Sequence, residues 1–349
     1  MAKIKTVLFA AAAAAVFVSP LMSSAVAQTV ELKLAHHISP QHPMSVFLQK
    51  WADQVGAESN GRMKVSVFPS QQMGPADRNY RMVETGVADI SWLLHGLTSD
   101  LFPLTGLADL PFTVGSAEIG AKVLNDPALL DKYLAPEHKG MKVLWLFTSP
   151  PGNLNMANAK VDSVAALQGK RIRFPSRTIR DYISALGATP QAMRPTEMLE
   201  ALQKGTVDGV FIDWGGAGLA FKLGPYVKYT TELHAYVSTM CICMNKASYD
   251  RLPADLKAIF DKTIKGREAE IGKLWDDAEG VGKSVMLKDG TEAVRVSDAE
   301  IEKFKTAGRK VSDDQIAALA KRGLPAKEAY DLMTTLAAKY TQTSRSFWK

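Results

Sequence analysis

Leu167-Gln-Gly-Lys-Arg-Ile-Arg-Phe-Pro175 opens the segment that decides the fold. Polar and apolar residues alternate through Arg171–Phe174 as they do on a strand, and Pro175 ends the run. Helical spacing follows from Thr178 to Leu186, stopped by Gly187, and again from Glu197 to Lys204, stopped by Gly205. Val207 to Ile212 then reads as a buried strand. This alternation of strands and helices predicts α/β architecture with parallel strands.

The same rhythm extends outward. On the N-terminal side, strand signals at Val30–Ala35, Lys64–Phe68 and Ala88–Leu93 are separated by helical spacing at Pro43–Val55 and at Asp77–Thr85, the latter closed by Gly86. Met141–Phe147 and Tyr236–Met244 are further apolar strands, and from Pro253 onward the chain reads as mainly helical. A long charged segment from Ala254 to about Lys288 carries Ile259, Ile264, Ile271, Leu274 and Trp275 on its inner face. The expectation is a two-lobed α/β fold with a ligand cleft between the lobes and one long helix bracing both. Chain crossings are expected near Ser149-Pro-Pro-Gly152 and Val237–Met240. That assigns 28–150 to lobe 1, 151–238 to lobe 2, 239–285 to a return to lobe 1 plus the brace, and 286–349 to a helical segment on lobe 2 and the lobe junction.

The first 27 residues read as a signal peptide. Lys3 and Lys5 precede an apolar run from Val7 to Val18, and Ala25-Val-Ala27 supplies a small-residue cleavage site. The apolar run is too short for a permanent span, so a mature chain beginning near Gln28 is expected in a periplasm. Net charge is +6. Removing the two leader lysines leaves about +4, mixed with acidic residues and without the basic stripe that nucleic-acid binding requires. The two cysteines, Cys241 and Cys243, share a face of an apolar strand; they read as small buried hydrophobes, with a strained disulfide as the alternative.

Several blocks resemble the solute-binding proteins of TRAP (tripartite ATP-independent periplasmic) transporters. Family members read approximately L-x-G-K-K-I-R-V-P where this chain has Leu167–Pro175. The likeness continues through Leu186-Gly-Ala-Thr-Pro190 and Glu200-Ala-Leu-Gln-Lys-Gly-Thr-Val-Asp-Gly209. Upstream it includes Phe68-Pro-Ser-Gln-Gln-Met-Gly74 and Gly86-Val-Ala-Asp89, and downstream Met244–Asp255. The resemblance implies capture of a small organic acid by closure of two lobes and its delivery to TRAP membrane subunits, with an ion gradient driving uptake. No cofactor and no metal are implied.

Within that register the ligand's carboxylate falls to Arg173, whose planar guanidinium can hold it bidentately while keeping its charge in a drying cleft. Arg171 has the same side-chain parity, and only the motif register selects between them. His37 falls at a polar contact position, and Trp92 at a pocket-facing place on the third strand. Where many relatives continue Q-E-N-P, this chain has Val210-Phe-Ile-Asp-Trp214, so Trp214 is expected as an apolar wall. Phe211, Met193 and Asn155 complete the candidate lining. Sialic-acid-type relatives carry a second arginine where Leu154 stands here; a single cation favours a monocarboxylate with an apolar or aromatic body over a dicarboxylate.

Catalysis finds no support in the motifs. The sequence contains no G-x-S-x-G elbow, H-E-x-x-H helix, P-loop or dinucleotide fingerprint, and Gly215-Gly-Ala-Gly218 lacks the spacing of one. An exported enzyme acting on a small acid, or a binding protein presenting its ligand to a sensor, stands as the alternative.

Overall fold

The computed structural model describes residues 29–348, and the expected signal peptide lies outside them. Two mixed sheets form the frame, one in each lobe. In the first, β1 (Val30–Ala35), β2 (Met63–Phe68), β3 (Ile90–Leu94), β4 (Met141–Thr148) and β10 (Thr239–Asn245) take the order β2-β1-β3-β10-β4. The second holds β5 (Asn153–Met156), β6 (Arg171–Phe174), β7 (Thr189–Ala192), β8 (Gly209–Ile212), β9 (Tyr229–Thr231) and β11 (Glu292–Val294) in the order β11-β9-β5-β8-β6-β7. Most neighbours are parallel, but β10 runs antiparallel to β3 and β4, and β5 antiparallel to β8 and β9. These are the strands adjoining the chain's crossings, which enter each sheet from the far lobe and so run against it.

The crossings lie side by side. Ser149 N donates to Ser238 O at 3.0 Å, and Ala235 N donates to Gly152 O at 3.0 Å. Gly152 packs against the Tyr236 ring, where an added Cβ would clash, so glycine is what lets the two segments approach.

Helices α1 (Pro43–Glu58), α2 (Asn79–Thr85) and α3 (Ala117–Leu124) cover lobe 1; α4 (Arg177–Ala185) and α5 (Met198–Gln203) cover lobe 2. The long expected helix is two: α6 (Ala254–Ile264) and α7 (Glu268–Lys288). Lys265 is extended and Gly266 takes φ 79°, a left-handed turn that breaks the helix. Helix α7 is the brace. Asp276 accepts from Ala117 N (2.8 Å) and Glu118 N (3.0 Å) at the start of α3, while Glu279, one turn on, accepts from Gly215 N (2.7 Å) in lobe 2. Glycines bring these surfaces together: Cβ atoms at Gly272 and Gly282 would collide with the backbones of Glu118 and Trp214.

The C-terminal segment contributes a strand as well as helices. After β11 joins the lobe 2 sheet, α8 (Asp298–Lys321) packs on α4, with Tyr182 Oη donating to Phe304 O at 3.2 Å. Helix α9 (Ala326–Thr341) packs instead on α3, in lobe 1. No helix among the described residues is long and apolar enough to cross a membrane.

Candidate functional site: a buried arginine in the interlobe cleft

Strand β6 delivers the central feature. Arg173 pairs in register with Gln191 on β7 and Val210 on β8, and its side chain lies against a cavity of about 70 Å3 between the lobes. It is only 2% exposed. No carboxylate among the described residues forms a salt bridge with it. Its two hydrogen bonds are long and run to backbone carbonyls, Nε to Met193 O at 3.4 Å and Nη1 to Phe211 O at 3.5 Å. Burial pulls its pKa down to about 10, which leaves it charged at neutral pH. A buried, unpaired cation is costly, and an anion entering the cavity relieves that cost.

Arg171 does different work. Its guanidinium binds Asp208 and the carbonyl of Gly205 at the surface of lobe 2, so the residue two positions away closes an ion pair of its own.

Lobe 1 supplies the opposite wall. His37, at the end of β1, and Trp92, on β3, both line the cavity, and their rings lie 5.1 Å apart in an edge-on arrangement. Trp275 joins them from the brace, 5.8 Å from Trp92 and nearly perpendicular to it. Burial, together with the neighbouring His36 and His42, lowers the His37 pKa to about 3, so the ring is neutral. The hinge contributes Ser149, Tyr236 and Thr239, and Tyr236 Oη donates to Phe211 O at 2.8 Å.

The other sequence-predicted residues fall elsewhere. On β8 side chains alternate between faces, and it is Ile212 that lines the cavity while Phe211 enters the lobe 2 core beside Tyr182 and Tyr236. Trp214 packs in a second lobe 2 cluster, and its indole donates to Glu232 at 3.3 Å. Asn155 spends its amide on the sheet: Nδ2 donates to Ile212 O (2.9 Å) and Asn153 O (3.2 Å), and Oδ1 accepts from Thr230 (2.8 Å). Met193 serves through its carbonyl on Arg173. Trp275 escaped the sequence reading because it sits in the apolar stripe of a helix, and nothing in that stripe separates a core ring from a cleft ring.

Asp213 also reaches the cavity, and is the acidic member of the lining. Burial raises its pKa; burial and the Asp213 charge raise that of Glu279 well above the carboxylate range, so this buried pair retains a proton.

Two further features lie apart from this cleft. A groove of about 880 Å3 borders Phe112, Arg295, Lys305 and Trp348 near the C-terminus. It is larger than the cleft, and none of the charged residues that line it is buried. Cys241 and Cys243 are joined by a disulfide at a register shift in β10, where the strand bulges. The fold brings His138 to them, so that ligand atoms of all three lie within 4.8 Å of one another, a neighbour that sequence spacing does not reveal. In the disulfide the sulfurs are not free thiolates.

Residues 34–318 match the family model of bacterial extracellular solute-binding proteins, family 7. The outer membrane transporter protein TsaT of Comamonas testosteroni is 27% identical over 332 residues, covering 93% of this chain and 96% of that one. A marine metagenome TRAP solute-binding protein specific for aromatic acid ligands, solved with co-crystallised 3-hydroxybenzoate, is 30% identical, with a TM-score of 0.85 over 90% of this chain and 99% of that one. A TRAP solute-binding protein from Rhodoferax ferrireducens, solved with copurified benzoate, is 26% identical, with a TM-score of 0.85 over 91% and 100% of the two chains.

Proposed function

Since the chain belongs to the bacterial extracellular solute-binding proteins of family 7, we propose that it captures a small organic monocarboxylate in the periplasm and hands it to TRAP membrane subunits. Arg173 carries the reading: a buried guanidinium, charged at neutral pH and without a carboxylate partner among the described residues, faces a cavity between two lobes. One cation matches one carboxylate. The rest of the lining is largely apolar and aromatic, with Trp92, Trp275, Phe221, Ile212 and Met240 around it, which suits a compact ring.

Mechanistically the ligand links the lobes. Its carboxylate binds Arg173 from lobe 2 while its body rests on Trp92 and His37 from lobe 1, so its contacts are complete only in the closed form. Binding therefore shifts the population toward closure by the difference in contact energy between the two forms. Closed protein is then the form the membrane subunits recognise. None of these steps requires a catalytic group or a nucleotide, and uptake draws on an ion gradient at the membrane subunits.

Mass spectrometry of small molecules released from denatured, freshly purified protein tests the proposal. A monocarboxylic acid at near-stoichiometric amount supports it; a cationic or uncharged solute would refute it.

A further inference from the structure

Three rings that border the cavity share a feature the carboxylate does not explain. Trp92 Nε1, Trp275 Nε1 and His37 Nδ1 are all buried and have no hydrogen-bond partner among the described residues. Buried polar atoms left unpaired are uncommon in folded proteins, and each is costly. Here three belong to rings on one wall, with Trp92 against both His37 and Trp275. That wall belongs to lobe 1 and the brace, whereas Arg173 projects from lobe 2.

The chemistry of these nitrogens narrows what can meet them. An indole N–H only donates, so its partner must accept. An ammonium group has no lone pair to offer and fails. A second carboxylate accepts, yet finds no cation: His36, His37 and His42, the basic groups packed around these rings, are neutral because burial holds them far below the ordinary imidazole range. A neutral imidazole also presents one lone pair and so takes a hydrogen bond. A hydroxyl does both, accepting from an indole and donating to the imidazole.

Resting on the carboxylate reading above, we infer that the ligand is a hydroxy-substituted monocarboxylate whose hydroxyl, at the end away from Arg173, accepts from the indole N–H of Trp275 or Trp92 and donates to His37. The two poles then set specificity by different means: Arg173 selects the charge, and the Trp92, Trp275 and His37 wall selects a neutral second polar group.

Calorimetric titration of benzoate, 2-, 3- and 4-hydroxybenzoate, and isophthalate into the full mature chain tests this. At least one hydroxybenzoate should bind about tenfold or more tightly than benzoate, since benzoate leaves the indole donors unpaired. Isophthalate, with its second carboxylate, should bind more weakly than benzoate. Replacing Trp275→Phe, and separately Trp92→Phe, keeps an aromatic wall but deletes one donor each, and at least one replacement should bring the hydroxybenzoate-to-benzoate affinity ratio close to one. Because the readout is a ratio within one variant, a general loss of affinity does not imitate the effect, and the parent comparison stands even where a variant fails to fold. If benzoate equals every hydroxybenzoate in a parent that still needs Arg173, the nitrogens are met by water and the inference falls while the carboxylate reading survives. If no acid binds, both fall together.

Discussion

Arg171 grips Asp208 with two hydrogen bonds, Nη2 to Oδ1 at 2.8 Å and Nε to Oδ2 at 3.2 Å. This pair separates two arginines that the strand's alternation places on one face. Arg171 is satisfied at the surface of lobe 2; Arg173, two residues on, is not. Arg171→Ala should therefore leave ligand affinity at the parent's value, as read by calorimetry. A large loss of affinity would mean that the anchor had been assigned to the wrong arginine.

Two ion pairs link the lobes. Arg177 on lobe 2 holds Asp100 on lobe 1 at 2.8 and 3.0 Å, and Arg194 holds Asp77 at 2.9 Å. Such contacts exist only when the lobes are together, and being exposed they are screened by salt. The double variant Asp77→Asn, Asp100→Asn should be more expanded without ligand in small-angle scattering, should bind ligand more weakly, and should lose part of the parent's salt dependence. Unchanged affinity and salt slope would show that the pairs do not contribute to closure.

The buried carboxyl pair Asp213 and Glu279 makes stability pH-dependent. Both pKa values are raised in the folded protein, so the folded state holds a proton that the unfolded chain releases at lower pH. The stabilisation is complete below the ordinary carboxylate range and disappears as pH rises through the raised value. Glu279→Gln imitates the protonated form and keeps an oxygen for Gly215 N. Its melting temperature should exceed the parent's by a margin that grows from pH 5 to pH 9; a margin constant across that range would contradict the assignment.

Two glycines on the brace should respond oppositely to alanine. At Gly282 a Cβ would run into the Trp214 backbone, which cannot yield as a side chain would, while at Gly280 nothing lies within 4 Å. Gly282→Ala should cost about 1–3 kcal/mol through overpacking. Gly280→Ala should gain up to about 1 kcal/mol from helix propensity. Urea denaturation of the two variants measures both, and equal shifts would show that α7 does not dock through Gly282.

Local patterns made the frame legible. Arg171–Phe174 was readable because alternation ends at a proline, and the helix after it because Gly187 takes a left-handed φ of 81° at its end. Gly266 was an equally available stop signal inside the expected brace, hidden by apolar spacing that continues on either side. Asn153–Met156 carries no strand signal, since asparagines rarely mark one; here Asn155 holds its place by hydrogen bonding to the backbone and side chains of neighbouring strands. Of the residues that line the cavity, Arg173, His37 and Trp92 are those to which motif register points. Phe211 falls outside the cleft because side chains alternate along β8 and Ile212 takes the cleft side; Trp214 lies beyond the end of β8, where the family pattern departs, and packs in a lobe 2 cluster. Trp275 depends on how a helix distant in sequence docks across both lobes, which no local pattern encodes.

The central claim is that Arg173 holds the ligand's carboxylate in a closed, largely dry cleft. Calorimetric titration of an aromatic monocarboxylate such as 3-hydroxybenzoate into the parent, Arg173→Ala and Arg173→Lys tests it most directly. The account predicts that alanine costs about 2–5 kcal/mol of binding, because the carboxylate is enclosed without its partner, and that lysine also binds more weakly because it keeps the charge but loses the fork. Melting temperatures of both variants should stay at or above the parent's, since an unpaired buried guanidinium does not stabilise the ligand-free fold. Undiminished binding by a folded Arg173→Ala variant would contradict the claim.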